Sequence, residues 1–215
     1  MLTSRSNLLL ACALSGLAGY VDGIGFLHLG GLFVSFMSGN STRLGVMAAE
    51  QDWPKAIEAL RLIALFVVGA GIGSLIGRGR GRHRQWLLLL AEAVLLGSGA
   101  LAFEISLPAL TIVALVVTMG LENAVFQAEP GAPGIGLTYM TGTLVRVGQL
   151  LAAALVGGPR WAWLPNLLLW AALVAGAAIG ALAYQRISLA SVWFAAAVAL
   201  LLSTIAAIAS YRARI

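Results

Sequence analysis

Charged residues are scarce in this sequence. Only 13 Lys and Arg and 8 Asp and Glu occur among 215 residues, so 10% of the chain is charged, whereas 60% is hydrophobic. A soluble globular domain carries roughly 25% charged residues. Together with a mean hydropathy of +0.96, this composition excludes an ordinary soluble domain and indicates an integral membrane protein.

Cysteine and histidine are also nearly absent. A lone Cys12 excludes a disulfide framework, and with only 2 His the chain offers no metal cluster, so we expect no metal and no cofactor. Residues 9–12 loosely resemble a lipoprotein cleavage box, but the apolar stretch before them is too short for a signal peptide. We therefore expect Cys12 to lie inside the first spanning helix.

The few charges are clustered. The net charge of +5 could suggest a nucleic-acid partner, but a short linker between two apolar runs holds four of the cations: Arg78, Arg80, Arg82 and Arg84. Such a cluster is typical of a cytoplasmic loop that follows the positive-inside bias. We therefore expect a lipid bilayer as the partner and no nucleic acid.

Long apolar runs predict an all-α fold. Backbone groups in hydrocarbon must be paired internally, and these Leu- and Ala-rich runs are far longer than the alternating strands of a barrel. About 20 apolar residues cross a bilayer as a helix. This length predicts spans at about 7–29, 55–78, 85–103, 108–128, 163–184 and 189–211.

Two further apolar segments, about 32–50 and 135–157, are interrupted by Gly, Ser, Thr, Asn and Arg. If both crossed, the protein would have eight spans, and the Arg78–Arg84 loop would lie opposite both termini. If both were re-entrant, six spans would cross, and the termini would lie with this loop on the cytoplasmic side of the inner membrane. The six-span arrangement satisfies the positive-inside bias better and is our prediction, with eight spans as the alternative.

Internal repetition organises the chain, which we treat as a single membrane domain over residues 1–215. The segment 36–45 matches 139–148 at a constant offset of 103, and the helices before and after these segments also align. We predict two repeats at about 7–103 and 108–211. With three crossings in each, the second repeat is inverted relative to the first, as in many transporter folds.

The duplicated segments carry the candidate solute site. Each places small polar residues at the expected start of a helix and an Arg about one turn later, so that two positive helix ends could meet at the midplane. With the symmetry-breaking Asn123, the predicted solute-binding residues are Ser38, Gly39, Asn40, Arg43, Asn123, Thr141, Gly142, Thr143 and Arg146.

Acids inside the spans are the second unusual feature, because a charge at the centre of a spanning helix is costly. Asp22 and Glu122 are our candidates for proton coupling, and Glu92 is a weaker one. They could equally be structural, with Asp22 paired to Arg43 and Glu122 to Arg146. The glycines at 69, 73 and 77 are spaced four apart, which favours a smooth face for helix packing.

At these residues the sequence resembles the YoaK family of bacterial membrane proteins. The resemblance rests on residues 18–26, 31–40 and 139–143, where Ser38 replaces the Thr that the family typically shows in Met-Thr-Gly-Asn. The resemblance implies a polytopic inner-membrane protein of about this size, and it brings no substrate and no site residues.

The motifs predict a secondary transporter or channel for a small solute, and anions are among the candidate solutes. A homo-oligomer is compatible with the sequence. A non-transporting scaffold or accessory subunit is the alternative. An intramembrane enzyme ranks third, because the nucleophile–base pairs and carboxylate dyads of such enzymes are missing, so we expect no enzymatic activity.

Overall fold

The computed structural model describes residues 5–78, 84–126 and 140–212. These ranges contain eight α-helices, and a 3-10 turn at Ser188–Ser191 joins the last two. The helices are α1 (Arg5–His28), α2 (Met37–Ala49), α3 (Trp53–Ile76), α4 (Arg84–Glu104), α5 (Pro108–Glu122), α6 (Met140–Leu155), α7 (Leu164–Ile187) and α8 (Val192–Arg212). The fold is that of an all-α polytopic membrane protein, as the sequence predicted.

The long helices have the length and composition of membrane spans. Four apolar stretches qualify: Asn7–His28, Trp53–Ile76, Arg84–Glu104 and Leu164–Tyr211. The last has 48 residues and contains both α7 and α8, so it is long enough for two crossings. Large apolar side chains such as Val67 and Leu182 point outward from these helices, as expected for a surface that faces lipid.

The predicted span at 108–128 is too long at its C-terminal end. Helix α5 ends at Glu122, and residues 123–126 form a turn in which the Ala124 and Val125 N–H groups donate to carbonyls three residues back. Arg84 also donates from Nη2 to the Ala124 carbonyl at 2.8 Å. This side-chain bond satisfies a carbonyl of the turn that follows the helix.

Glycine sets the spacing of two helix pairs. A Cβ at Gly19 would meet the backbone of Leu173, and one at Gly180 would meet Tyr20, so α1 and α7 are in backbone contact. A Cβ at Gly69 would likewise meet the Val117 carbonyl, which places α3 against α5. The predicted packing role of the α3 glycines is confirmed at Gly69 and Gly73.

The two interrupted segments contain short helices. Helix α2 has 13 residues, which corresponds to a rise of about 20 Å, against a hydrocarbon core of about 30 Å. Helix α6 has 16 residues, and the part of its segment at 135–139 lies outside the described residues. Helix α2 packs on α3, and α6 packs on α7.

Candidate functional site

The candidate site in the first half is a hairpin made of the end of α1, the loop 29–36 and α2. The loop turns back along α1: a Cβ at Gly25 would meet the Val34 side chain, and Val34 and Ser35 bind Asp22. Residues 34 and 35 therefore lie beside a residue six positions before the end of α1, which is about 9 Å along the helix. Helix α2 starts from this depth.

From there α2 returns in the direction of the α1 C-terminus. A Cβ at Gly31 would lie 2.8 Å from Nη1 of Arg43, so the second turn of α2 has come back to the beginning of the loop. The loop and α2 thus form a hairpin that folds back along the end of α1, as expected for a re-entrant segment. Gly31 has a φ of +104°, a backbone conformation that favours glycine, and its missing side chain leaves room for the guanidinium.

Asp22 holds the loop. Its Oδ1 accepts hydrogen bonds from the backbone N–H groups of Val34 at 2.8 Å and Ser35 at 2.9 Å, and its Oδ2 accepts one from the Ser35 hydroxyl at 2.7 Å. These bonds satisfy backbone donors that a non-helical segment leaves free inside a membrane protein. The expected ion pair between Asp22 and Arg43 is wrong, because the loop takes up both carboxylate oxygens.

Asn40 holds the other side of the loop. Its side chain is fully buried, accepts from the Phe33 N–H at 2.9 Å and donates to the Phe33 carbonyl at 2.7 Å. The sequence correctly placed a helix start near residues 38–40, but not the role of the polar side chains there. The N-cap of α2 is Phe36, and no side chain caps this end.

Arg43 stacks on aromatic rings. Its guanidinium carbon lies 5.8 Å from the centre of the Phe26 ring and 6.0 Å from that of Phe33, which is the geometry of cation–π contacts. Among the described residues, no carboxylate forms an ion pair with it; the ion pair recorded there joins Lys55 to Asp52. The two phenyl rings are functional candidates that the sequence reasoning missed, although both lie within the YoaK-like segments.

The second half is described only from α6 onward. Helix α6 carries Thr141, Gly142, Thr143 and Arg146, and the side chains of Thr141 and Arg146 are exposed. The expected pairing of Glu122 with Arg146 is wrong, because neither carboxylate oxygen of Glu122 has a hydrogen-bond partner. Asn123, which follows α5, donates from Nδ2 to the Met119 carbonyl at 2.9 Å.

The two duplicated segments therefore lie in different surroundings in the structure. Ser38, Gly39, Asn40 and Arg43 share one hairpin with Asp22, whereas the second set lies on α6, which packs on α7. Ser38 is exposed, and a Cβ at Gly39 would meet the Phe33 and Phe36 rings. The proposed meeting of both motifs at the midplane stays a prediction.

Comparison with known proteins identifies the family. Residues 10–205 match the family described as "Protein of unknown function (DUF1275)". The chain belongs to this family. It is 35% identical over 203 residues to the UPF0700 transmembrane protein RA0705 of Rhizobium meliloti (strain 1021), a match that covers 94% of this chain and 87% of that protein.

A second relative is the UPF0700 transmembrane protein YoaK of Bacillus subtilis (strain 168). It is 29% identical over 135 residues, which is 59% of each chain. The resemblance to the YoaK family is therefore confirmed. No solved structure matches the chain. Family membership and the apolar helices agree that this is a multi-pass membrane protein.

Proposed function

We propose that this protein is a secondary transporter or channel that moves a small solute across the inner membrane. Anions are among the candidate solutes. The observation that carries the proposal is the Arg43 guanidinium, which lies in the re-entrant hairpin without a carboxylate partner among the described residues. A cation in a spanning region normally has a partner or faces a water-filled cavity. A solute anion would provide that partner.

The stacking of Arg43 on Phe26 and Phe33 suits this role. A guanidinium that lies over aromatic rings keeps its N–H donors at its edge, where they can bind an anion in a fork geometry. The nearby N-terminus of α2 has no side-chain cap and adds a positive dipole end. Discontinuous helices with such ends form the solute sites of many secondary transporters.

The inverted repeat is part of the proposal. The first helix of each half packs on the third helix of the other half, since α1 contacts α7 and α5 contacts α3. Glycines at aligned positions form these contacts in both pairs, such as Gly69 in α3 and Gly176 in α7. This exchange supports a pseudo-two-fold relation in which α6 would bring Arg146 toward the site from the opposite side.

The proposed topology follows the positive-inside bias. Both termini and the linker that contains Arg78 and Arg84 lie in the cytoplasm, and Glu104 lies across the membrane. The short helix α2 is compatible with this arrangement, because a re-entrant α2 would leave three crossings in the first half.

Flux measurements in proteoliposomes test the function. The probes are labelled chloride, acetate and inorganic phosphate, and the variants are Arg43→Gln and Arg146→Gln. Arg61→Gln is the matched control, because Arg61 is an exposed cation on α3 outside both motifs. Loss of a charge-assisted hydrogen bond costs about 1.5–3 kcal/mol, so we expect the flux of a transported anion to fall about tenfold or more in the motif variants.

The result that contradicts the proposal is equally specific. The proposal is contradicted if wild-type vesicles show no faster flux of any probe than protein-free vesicles. It is also contradicted if the flux in Arg43→Gln, Arg146→Gln and Arg61→Gln vesicles equals that of the wild type.

A membrane scaffold or accessory subunit is the second candidate, and the hydrogen bonds of Asp22 favour it. All three join this acid to its own loop, which is a structural role. Under this alternative, Asp22→Asn lowers the thermal stability and changes no flux. An enzyme is the third candidate, and covalent labelling of the exposed Ser38 by a serine-reactive probe would revive it.

A further inference from the structure

Two glutamates in the interior have no hydrogen-bond partner in the part of the chain that the structure describes. Glu92 on α4 and Glu122 on α5 are both fully buried, and none of their four carboxylate oxygens has a hydrogen-bond partner. Buried polar groups are nearly always satisfied, and a buried charge is normally paired. These two side chains therefore need a ligand that the described part of the chain does not supply.

The helix register places the two glutamates near each other. Helices α4 and α5 form an antiparallel pair joined at residues 105–107, and Thr111 Oγ1 donates to the Gly99 carbonyl at 2.8 Å. Seven residues from this contact along each helix (99 − 92 and 118 − 111) lie Glu92 and Thr118, so these two share a level. Glu122 lies one turn beyond Thr118, within electrostatic reach of both Glu92 and Asp22.

Among the described residues, no cation forms an ion pair with either glutamate. Arg84 on α4 donates from Nη2 to the Ala124 carbonyl and forms no ion pair with a described carboxylate. On α3, Lys55, Glu58 and Arg61 are exposed, and α8 carries no charged residue from 192 to 211. Asp22 differs from the glutamates because its carboxylate oxygens accept three hydrogen bonds.

A metal ion is a poor match for these ligands. Among the described residues, no group of three or more His, Cys, Asp and Glu side chains could hold one. The Thr111 and Thr118 hydroxyls donate to the Gly99 and Ala114 carbonyls. A hard cation takes six or more oxygen ligands, whereas a proton needs one.

We propose that Glu92 and Glu122 form a proton-binding pair, in which both carry protons in the conformation described here. Each releases its proton by breaking the carboxylic O–H bond and passing H⁺ to water when the α4–α5 interface opens. Should the proposed transport function hold, this pair is the coupling site and the coupling ion is H⁺. Proton occupancy itself does not depend on transport.

Infrared spectroscopy of the full-length protein in lipid nanodiscs at neutral pH tests the pair. Protonated carboxylic acids show a C=O stretching band that is separate from the carboxylate bands and shifts in D₂O. We expect this band in the wild type, one of its two contributions in Glu92→Gln and in Glu122→Gln, and neither in the double variant. Glu104→Gln is the control, since Glu104 is exposed at the end of α4 and should leave the band unchanged.

Thermal unfolding in sodium and in choline buffers provides a second measurement. Gln resembles a neutral acid in shape, so the single variants should fold, and sodium should not raise the midpoint of any form. A wild type without the band, or a double variant that retains it, would overturn the proposal. Stabilisation by sodium that both single variants lose would overturn it as well, in favour of a sodium site.

No solute or gradient enters either measurement. A protein that transports none of the probes can still show the band, and a transporter can lack it, so the failure of one proposal is distinguishable from the failure of the other.

Discussion

At the scale of single residues, Asp22 and Asn40 bind mainly the backbone of the loop 29–36. Asp22 and Asn40 together satisfy the backbone groups of Phe33, Val34 and Ser35. These groups would otherwise lie unpaired in a non-helical loop at membrane depth, which is tolerated only when protein or water satisfies them. The two side chains thus make the re-entrant loop possible, and Arg43 is left to stack on rings.

Replacement of Asn40 tests this role. Asn40→Ala leaves the Phe33 N–H and carbonyl without partners in a buried place, and each loss costs about 1–3 kcal/mol. We expect destabilisation of about 2–4 kcal/mol in the thermal unfolding of the detergent-solubilised protein. The neighbouring Ser41→Ala is the control, because the exposed Ser41 hydroxyl donates only to Met37 in its own helix. Equal stability of the two variants would argue against a stabilising role for the hydrogen bonds between Asn40 and Phe33.

At the scale of helices, small residues decide which elements touch. Gly16, Gly19, Gly176 and Gly180 bring α1 and α7 into backbone contact, and Gly69, Gly73 and Gly120 do the same for α3 and α5. Lipid is as apolar as a leucine side chain, so close packing must replace the hydrophobic effect between such helices. Hydrogen bonds such as that from the Ser15 hydroxyl to the Leu169 carbonyl at 2.9 Å strengthen the same contacts.

Alanine substitutions at two glycines on α3 distinguish the effect of helix packing from the effect of helix propensity. A methyl group at Gly69 would collide with the Val117 carbonyl, whereas one at Gly71 would meet nothing within 4 Å. Gly69→Ala should therefore cost about 1–3 kcal/mol as the helices are forced apart, the range for overpacked sites. Gly71→Ala should be neutral or gain up to about 1 kcal/mol. Thermal unfolding compares the two, and an equal response would place the α3–α5 contact elsewhere.

At the scale of the whole molecule, the proposed number of crossings depends on whether α2 spans the membrane or turns back within it. Helix α2 starts beside Asp22 and returns toward the end of α1, so the proposed topology counts only α1, α3 and α4 as crossings in the first half. An odd number of crossings in each half would place the two halves in opposite orientations. Glu92 lies on α4 and Glu122 on α5, and the proposed repeat would relate these helices to α8 and α1. No second pair of glutamates occurs on α8 and α1, so the proposed proton-binding pair is not duplicated.

Cysteine labelling tests the topology. In a Cys12→Ser background, Arg78→Cys and a cysteine added after Ile215 should react with an impermeant maleimide from the same side of the membrane. Glu104→Cys should react from the other side. Labelling in right-side-out and inverted vesicles measures this, and a six-span protein gives the expected pattern. Arg78→Cys labelled opposite the C-terminus would instead indicate eight spans.

Much of the fold was predictable because it depends on local properties of the chain. A run of about 20 apolar residues can satisfy its backbone in a membrane only as a helix, so the positions of α1, α3, α4, α7 and α8 followed from composition. The Gly and polar residues at 38–40 likewise marked a short helix, which starts at Met37.

The partners of the polar side chains could not be read from the same pattern. Charge alone favoured an Asp22–Arg43 pair, but the path of loop 29–36 brings two backbone N–H groups and a hydroxyl to Asp22 first. Glu92 and Glu122 lie 30 residues apart in sequence (122 − 92), and only the antiparallel packing of α4 on α5 brings them together. The sequence by itself determined that this chain lies in a membrane and where its helices form, because hydrophobicity and backbone pairing act locally. The tertiary structure decided which polar groups meet, because that depends on loop path and helix register.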